Sequence, residues 1–546
     1  MIKSLFSLKC RFFSFKHVKI EFDDKARYML WRGIEDVNKT VSITLGPKGK
    51  NAAIEYELGP PKITKDGVTV VKHIEFPDNQ RDLGCRLIKF PAHESNNHAG
   101  DGTTTTTIIA SHLIEKGLKY LKRGVHPIAL KESLVYASNL VENYLKSKCI
   151  PVTSESELLA IAKVSCNHDE YNANLVTQAV LSTGKNGTIM IEEGADFDNA
   201  LILADGFTMM RGAANEFFMQ NQGHPDIRLE NPLILTCAFK IHKLDQIINI
   251  LEYAKKTGRS LVIAAEDIDK EALSTILLNH QKGELQICAI NFPYEHNIEI
   301  LYDFSSIVGS KVHSELTFKT YSPDDLGSAR RVNIERDQTL VFGGKGDPKE
   351  RIETIENDLR NTQDHDQRSV YKIRLQRLYG KMAVIEIGIG GGQMEIQERR
   401  DRVVDSLNSV KTALSEGFLP GGGSALLYAA RMLSKIRTNT EKDIGVRILQ
   451  ESLMLPCEQI VINTDYGLAA IDEMWNSEDE EIGLNANTGK LVNLIDEGII
   501  DSAHVVIQAL RGACSLAQLV LSTSAVIVRE KKYVPTLLSE YRKELF

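Results

Sequence analysis

The sequence lacks any Cys-x-x-Cys pair among its eight scattered cysteines. This absence excludes the usual zinc and dithiol motifs and favours reduced thiols in a reducing compartment. The net charge of −8 gives no basic excess of the kind that nucleic-acid-binding proteins carry. No apolar run of bilayer length is evident, so we expect no membrane-spanning segment. We therefore expect neither nucleic acid nor a membrane as a partner.

The phosphate-binding pattern Gly-x-x-x-x-Gly-Lys-Ser/Thr is also absent, which disfavours a P-loop kinase or GTPase. Glycines cluster at residues 388–392 after an apolar segment. They lack the Gly-x-Gly-x-x-Gly spacing and the following amphipathic helix that a dinucleotide site requires. We interpret this segment as a loop.

The chain has the size and composition of a large globular protein. Its 546 residues, 42% hydrophobic and 25% charged, indicate three or four modules with several cores. The first twenty residues differ, because they hold five lysines or arginines and no acid. That composition is typical of a mitochondrial-type transit peptide, which we place at residues 1–15, with a disordered basic tail as the alternative.

Apolar periodicity predicts helices at residues 23–41, 108–121, 128–145, 424–436, 446–461 and 502–521. Short apolar runs predict strands at residues 52–54, 68–71 and 189–191. Between residues 206 and 381, predicted strands (234–235, 261–265, 287–290) alternate with predicted helices (247–254, 273–278), which indicates an α/β layer. The charged segment 350–378 predicts a pair of solvated helices.

Five consecutive threonines at residues 103–107 follow Gly100, Asp101 and Gly102. The glycines let the backbone approach an anion closely, and a helix starting here would favour negative charge at its N-terminus. Asp101 is a hard oxygen ligand suited to Mg²⁺. The alternative is a polar helix start that Asp or Thr merely caps. Capping alone explains five β-branched residues poorly, since they are mediocre helix formers.

Other motifs flank this run. Thr44, Leu45, Gly46, Pro47, Lys48, Gly49 and then Thr64, Lys65, Asp66, Gly67 precede it. Arg402, Val403, Val404, Asp405, then Pro420, Gly421, Gly422, Gly423, and then Gly483, Leu484, Asn485, Ala486 follow it. In this order the motifs closely resemble those of the group I chaperonins, the GroEL-type proteins of bacteria, mitochondria and plastids. The resemblance covers residues 18–530.

The resemblance implies an α/β multidomain chaperonin fold. A mostly helical equatorial domain would combine residues 16–147 and 417–546. A small intermediate hinge domain would combine residues 148–205 and 382–416, and an α/β apical domain would span residues 206–381. It also implies the mitochondrial matrix or a related organelle as the location.

The resemblance further implies ATP and Mg²⁺ as ligands, with K⁺ as a further candidate ion. Asp405 would orient or activate the attacking water, Asp66 would lie by the γ-phosphate, and Asp101 would coordinate Mg²⁺. The implied nucleotide-binding residues are Thr44, Leu45, Gly46, Pro47, Lys65, Asp101, Gly102, Thr103, Thr104, Thr105, Gly422, Asn485, Ala486, Asn487 and Asp501. Any one of these aspartates alone would be interpreted as a surface acid or cap. Three acids around a triphosphate need a cation between them.

A chaperonin would bind unfolded polypeptides through exposed apolar side chains. The matching positions are Phe217, Phe218, Ile248, Leu251, Leu273, Leu277 and Leu278. Without the resemblance, such helical spacing would indicate core packing. The same surface would take a small co-chaperonin ring. The resemblance implies seven copies of the chain per ring, in one ring or two, and ATP-driven folding of clients in the ring chamber.

Two positions depart from the family pattern. Pro91 should kink or shorten a helix that leads to Asp101. Lys381 replaces the second glycine of a hinge pair after Gly380. These departures leave open a divergent relative that binds ATP and acts as a scaffold or holdase. A group II chaperonin is a third hypothesis, which a built-in apical lid insertion would support, and we see none.

Overall fold

The computed structural model describes residues 18–55, 61–99, 101–166, 169–184, 187–194, 196–219, 227–292, 294–320, 322–362, 364–464 and 466–529. The predicted transit peptide and Gly100 lie outside these residues. The chain forms two compact units. The first unit comprises Met1–Thr177 and Gln393–Phe546, and the second unit comprises Gln178–Gly392.

The N-terminal part of the chain is mostly helical. Its elements are β1 (Val18–Phe22), α1 (Asp23–Val41), β2 (Ala52–Ile54), β3 (Lys62–Thr64), α2 (Gly67–His73), α3 (Asn79–Ala99), α4 (Thr103–Lys122), α5 (Pro127–Lys148), α6 (Glu155–Ser165) and α7 (Glu170–Thr183). The predicted helices at 23–41, 108–121 and 128–145 and the strand at 52–54 are confirmed.

The predicted strand at residues 68–71 is wrong, because this segment is the helix α2. The Asp66 carboxylate accepts hydrogen bonds from the backbone N–H groups of Val68 at 3.1 Å and Thr69 at 2.8 Å. This N-cap, together with the burial of Val68, Val70 and Val71, outweighs the strand preference of β-branched residues. The expected shortening at Pro91 is also absent, since α3 continues through that residue to Ala99.

The second unit alternates strands and helices, which confirms the predicted α/β layer. Its elements are β4 (Thr188–Glu193), β5 (Ala200–Met209), β6 (Ile227–Glu230), β7 (Leu233–Ile241), α8 (Ile248–Thr257), β8 (Leu261–Ile268), α9 (Lys270–Gln281), β9 (Ile287–Asn291), α10 (Tyr294–Val308), β10 (Val312–His313), β11 (Gly327–Ile334), β12 (Thr339–Gly344), α11 (Lys349–Asn361), α12 (His365–Leu378) and β13 (Lys381–Ile387).

A ten-stranded mixed sheet organises the second unit. Its main path runs β4-β13-β5-β12-β11-β7-β8-β9, with β10 on β7 and β6 on β11. The strands β7, β8 and β9 are parallel, and residues 261–265 of β8 are all buried, as expected of a strand covered on both faces. The predicted helical pair is α11 and α12. It is not wholly solvated, because Ile355, Leu375 and Leu378 are buried in this unit's core.

The chain then returns to the first unit. The elements are α13 (Gln393–Glu416), β14 (Phe418–Pro420), α14 (Ser424–Ser434), α15 (Lys442–Ile462), α16 (Ala469–Asn476), β15 (Ile482–Asn485), β16 (Lys490–Asn493), β17 (Ile500–Ser502), α17 (Ala503–Ser522) and β18 (Ala525–Arg529). The three helices predicted here are confirmed, as is the loop at 388–392. The strand β18 pairs antiparallel with β1, which joins the two ends of the described chain.

The helix α17 corrects one expectation, because by length and composition alone it could cross a membrane. It is instead a core helix of the first unit, since Ile507, Leu510 and Leu516 are buried and it packs against α3, α4 and α5. The core helices of globular proteins are often as long and as apolar as a membrane-spanning helix. The seven cysteines within the described residues are free thiols, as expected.

Candidate functional site

The first unit contains a cavity of about 690 Å³ at which several element ends meet. These are the loop after α1, the starts of α2 and α4, one face of α13, the turn before α14, the β15–β16 turn and β17. The cavity collects both predicted catalytic residues and all the predicted nucleotide residues except Thr103. They are Asp66, Asp405, Thr44, Leu45, Gly46, Pro47, Lys65, Asp101, Gly102, Thr104, Thr105, Gly422, Asn485, Ala486, Asn487 and Asp501.

Two glycines shape the side of the cavity formed by the loop after α1 and the start of α4. Gly46 has φ +82° and Gly102 has φ +90°, which are left-handed values that residues with a side chain rarely adopt. Gly102 immediately precedes α4, so the first backbone N–H groups of that helix have no partner within the helix. Thr104 and Thr105 of this first turn line the cavity. The geometry is suited to an anion.

The threonine run has two structural roles. Thr104 and Thr105 line the cavity, whereas the Thr103 hydroxyl donates to the Ala92 carbonyl oxygen at 3.2 Å. The hydroxyls of Thr106 and Thr107 donate back to the carbonyls of Gly102 and Thr103, each at 2.9 Å. Only part of the run is therefore available to a ligand in the cavity.

Carboxyl groups crowd the cavity and perturb one another. Burial, reinforced by the charges of Asp101 and Asp66, raises the pKa of Asp405 to about 9. Burial and the charge of Asp101 raise the pKa of Asp501 to about 7. The pKa of Asp101 is raised as well, by burial and by Asp66, although its backbone neighbour Gly102 donates to the carboxylate at 2.6 Å. A bound cation would relieve this repulsion.

No three His, Cys, Asp or Glu side chains within the described residues converge tightly enough to hold a metal alone. A cation in the cavity would need further oxygen ligands. Mg²⁺ is commonly bound in this way, through one or two carboxylates, water and substrate phosphates. The donor set therefore fits Mg²⁺ that arrives with a phosphate ligand.

Three basic side chains, Lys65, Lys163 and Arg402, also line the cavity. The Lys65 ammonium donates to the Pro47 carbonyl oxygen at 3.0 Å, which fixes it beside the 44–47 loop. Burial lowers the pKa of Lys65, and the charge of Arg402 lowers it further. Arg402 is paired with Glu398 one turn earlier on α13, at 2.7 Å. Lys65 and Arg402 therefore bring positive charge to the wall of a cavity that is rich in carboxylates.

The turn between β15 and β16 forms another wall. The side-chain oxygen of Asn485 accepts from the backbone N–H groups of Asn487 at 3.0 Å and Thr488 at 3.3 Å, so the turn is held by its own first residue. Gly422 has φ +63° and lines the cavity beside it. Hydrogen bonds within the turn thus hold its backbone, and the side chains that it contributes are uncharged, in contrast to the acidic cluster.

Sequence reasoning missed several lining residues, of which Asp401 is the most informative. It precedes Asp405 by one turn of α13 and lines the same cavity. Burial and the charge of Asp66 raise its pKa. Its spacing of four residues from Asp405 is the signal that could have found it, since residues four apart share a helix face.

The second unit exposes part of the predicted client surface. Phe217 is 50% exposed, Ile248 is 40% exposed and Leu278 is 55% exposed. Leu251, Leu273 and Leu277 are partly buried against the core. Phe218 is fully buried, with its ring 5.7 Å from that of His280. The structure therefore does not bring Phe218 to the surface with the others.

This fold is that of a chaperonin. The chain matches the TCP-1/cpn60 chaperonin family over residues 37–531, and it belongs to that family.

The chain is 36% identical to the mitochondrial chaperonin CPN60 of Euglena gracilis over 531 residues, which cover 95% of this chain and 93% of the relative. It is 35% identical to the mitochondrial chaperonin CPN60 of Arabidopsis thaliana, with coverage of 93% and 90%. Among solved structures, it is similar in fold to the chaperonin gp146 from the bacteriophage EL. That match has a TM-score of 0.68 and 23% identity over 94% of this chain and 99% of gp146.

The family, the fold class and the function expected from the sequence are thereby confirmed. The protein is an ATP-dependent chaperonin that assists the folding of other polypeptides. The alternative of a divergent relative that binds ATP and acts as a scaffold or holdase is not favoured. The relatives named mitochondrial CPN60 indicate an organelle location. They also favour the group I hypothesis over group II.

Proposed function

We propose that the cavity of the first unit binds Mg²⁺-ATP and hydrolyses it to ADP and phosphate. The observation that carries the proposal is that one cavity collects Asp66, Asp101 and Asp405 together with the 44–47 and 102–105 segments. The bacteriophage EL chaperonin, which shares the fold, was crystallised in the presence of ATP-BeFx. Its crystallisation with a nucleotide analogue supports a nucleotide as the ligand of this cavity.

The phosphate chain would lie between the loop after α1 and the N-terminus of α4. The N–H groups at the start of α4, which have no partner within the helix, would donate to phosphate oxygens, with the helix dipole adding to the attraction. The hydroxyls of Thr104 and Thr105 and the ammonium of Lys65 supply further donors on the same wall. Lys65 is already fixed by Pro47, so it needs little reorganisation on binding.

Asp101 would hold the Mg²⁺, because it lines the cavity directly before the start of α4. Burial and the charge of Asp66 raise its pKa, and a bound cation would lower it again. When bound, the ion neutralises charge on the β- and γ-phosphates. The acidic cluster fits this group because its mutual repulsion falls when a cation is present. K⁺ is a further candidate ion without assigned ligands.

Asp405 would orient the attacking water from its position on the cavity face of α13. In the step, the water oxygen bonds to the γ-phosphorus while the bond to the β–γ bridging oxygen breaks, ADP leaves with that electron pair, and the water gives up one proton through its hydrogen bond to Asp405. With Mg²⁺ bound, the raised pKa of Asp405 would fall, and its ionised carboxylate would accept a hydrogen bond from the water. Asp66 would lie by the γ-phosphate, and its hydrogen bonds as the N-cap of α2 would fix its carboxylate there. Asp501 would face the ribose, and Asn485, Ala486 and Asn487 the base.

The second unit would bind unfolded clients through the exposed Phe217, Ile248 and Leu278, with Leu251, Leu273 and Leu277 as the floor of the surface. Burial of apolar side chains is the driving force. Phe218 would support this surface from the core. A small co-chaperonin ring would compete for the same positions and release the client.

Residues 16–147 with 417–546, 148–205 with 382–416, and 206–381 would act as equatorial, intermediate and apical domains. A ring of seven copies, single or double, would enclose the chamber. Residues 1–15 would direct the chain to the mitochondrial matrix or a related organelle.

Equilibrium binding of ATP with and without Mg²⁺, beside refolding of a denatured client enzyme with a co-chaperonin, tests the proposal. We expect Mg²⁺-dependent binding and a higher yield of active client only when ATP is present. Binding that is indifferent to Mg²⁺, or equal refolding yields with and without ATP, would overturn the proposal.

A further inference from the structure

The last turn of α15 holds the loop that follows α1. Asn463, the C-cap residue of α15, donates from its Nδ2 to the carbonyl oxygens of Ser42 and Leu45, each at 2.9 Å. These two carbonyls lie on either side of Thr44. One carboxamide therefore bridges the chain on both sides of the segment that leads into the cavity.

The orientation of this carboxamide is set by a second side chain. Gln459, one turn earlier on α15, donates from its Nε2 to the Asn463 side-chain oxygen at 2.9 Å. Because that oxygen accepts from Gln459, the NH₂ group of Asn463 must face the loop. Carbonyl oxygens only accept hydrogen bonds, so a donor is required at this position.

The same helix supports the loop at a further point. A β-carbon on Gly46 would lie 3.2 Å from side-chain carbons of Ile460, so the loop backbone runs close to α15. The Thr44 hydroxyl donates inward to the Val41 carbonyl oxygen at 2.8 Å. Contacts on its outer side thus determine the loop conformation before any ligand binds.

We propose that Asn463 is a positioning residue of the nucleotide site, which holds the 44–47 loop in the conformation that receives the phosphates. The inference rests on the proposed function, since it adds a residue to the same site. Asn463 does not touch the cavity. Without it, the ligand would have to order the loop on binding, and this cost lowers affinity rather than the rate of the chemical step.

The test is steady-state ATP hydrolysis and ATP binding by the full chain with substitutions in this turn. Asn463→Ala should raise KM and Kd for ATP about tenfold, while kcat stays within about twofold. Gln459→Glu should have the same effect although Asn463 is retained, because a carboxylate accepts from Nδ2 and turns the donor away from the loop.

Thr464→Val is the matched control. It removes the hydroxyl that donates to the Val461 carbonyl oxygen and accepts from the Tyr466 N–H, and it removes no contact with the 44–47 loop, so KM should stay close to that of the wild type. A merely structural role of the turn would lower Tm and kcat in all three variants without a selective change in KM.

An unchanged KM in both Asn463→Ala and Gln459→Glu, with normal turnover by the wild type, would overturn the inference and leave the proposed function standing. A wild type that binds no ATP would instead overturn the proposed function, and the inference with it.

Discussion

The hydroxyl of Thr103 donates a hydrogen bond to the carbonyl oxygen of Ala92 across 3.2 Å, from the first residue of α4 to α3. The side chain is buried and points away from the cavity that Thr104 lines. Adjacent threonines in one run therefore have separable functions, one in stability and one at the ligand.

Thr103→Val should lower the free energy of unfolding by about 1 kcal/mol, because a buried carbonyl loses its donor while the volume is preserved. KM for ATP should not change. Thr104→Val should do the reverse, raising KM several-fold with little loss of stability. Urea unfolding and steady-state kinetics on both variants check this, and a rise in KM in Thr103→Val would contradict the assignment.

Asp101→Asn should weaken ATP binding in the presence of Mg²⁺ by about a hundredfold, because the proposed ligand of the ion is lost. Without Mg²⁺ the same variant should bind ATP at least as well as the wild type, since one repelling carboxylate is gone. Titrations with and without the metal measure both effects. Asp496→Asn, another carboxylate in the cavity wall, is the control and should retain the Mg²⁺ dependence.

Leu278→Ser and Ile248→Ser should each weaken binding of a denatured client roughly tenfold, because burial of such a side chain is worth about 1.5–3 kcal/mol. ATP turnover should stay unchanged. Fluorescence anisotropy of a labelled, unfolded client without nucleotide measures the affinity. Val370→Ser, at a position that is 53% exposed on α12, is the matched control. An equal loss of affinity in the control would show that the client adsorbs nonspecifically to exposed apolar side chains and not to a defined client surface.

His112 should make the first unit sensitive to acid. Burial, with help from the charge of Lys116, lowers the pKa of His112 to about 4. Between that value and the unfolded pKa near 6.5, the unfolded chain binds a proton that the folded chain does not, so stability falls as pH falls. At pH 5 the loss is about 2 kcal/mol relative to pH 7.

Urea unfolding of wild type and His112→Gln at pH 7 and pH 5 tests this effect. The glutamine can keep the hydrogen bond to Ser452, which the ring makes at 3.0 Å, and it cannot titrate. The variant should lose less stability at pH 5 than the wild type. Equal losses in the two proteins would contradict the role of His112.

Helical periodicity predicted most of the fold correctly, because long amphipathic helices such as α1 and α5 follow directly from the apolar spacing. The error at α2 has a local cause. Val68, Val70 and Val71 have the composition of a strand, and the Asp66 cap that makes the segment helical is a single side chain. Burial against neighbouring elements settles such short segments, and one sequence does not contain that information.

The sequence predicted many of the residues that line the cavity, but it did not predict how their side chains are arranged there. Asp101 and Asp405 lie 304 positions apart and Asp405 and Asp501 lie 96 apart, and only the family resemblance associates them. The outward or inward direction of a side chain also escaped prediction, as for Thr103 and for the buried Phe218. Asn463 belongs to no sequence motif that marks its role. The role depends on hydrogen bonds to two backbone carbonyl groups more than 400 positions away.

The most direct test of the account is ATP turnover by the Asp405→Ala variant beside Asp401→Asn, its neighbour one turn away on the same cavity wall. If Asp405 orients the attacking water, its loss should lower kcat by about a hundredfold or more, with ATP binding retained. Asp401→Asn should stay within about threefold of the wild type, since that residue has no assigned role in the chemical step. Equal turnover by Asp405→Ala and wild type would contradict the central claim that this cavity hydrolyses ATP with Asp405 at the reacting phosphate.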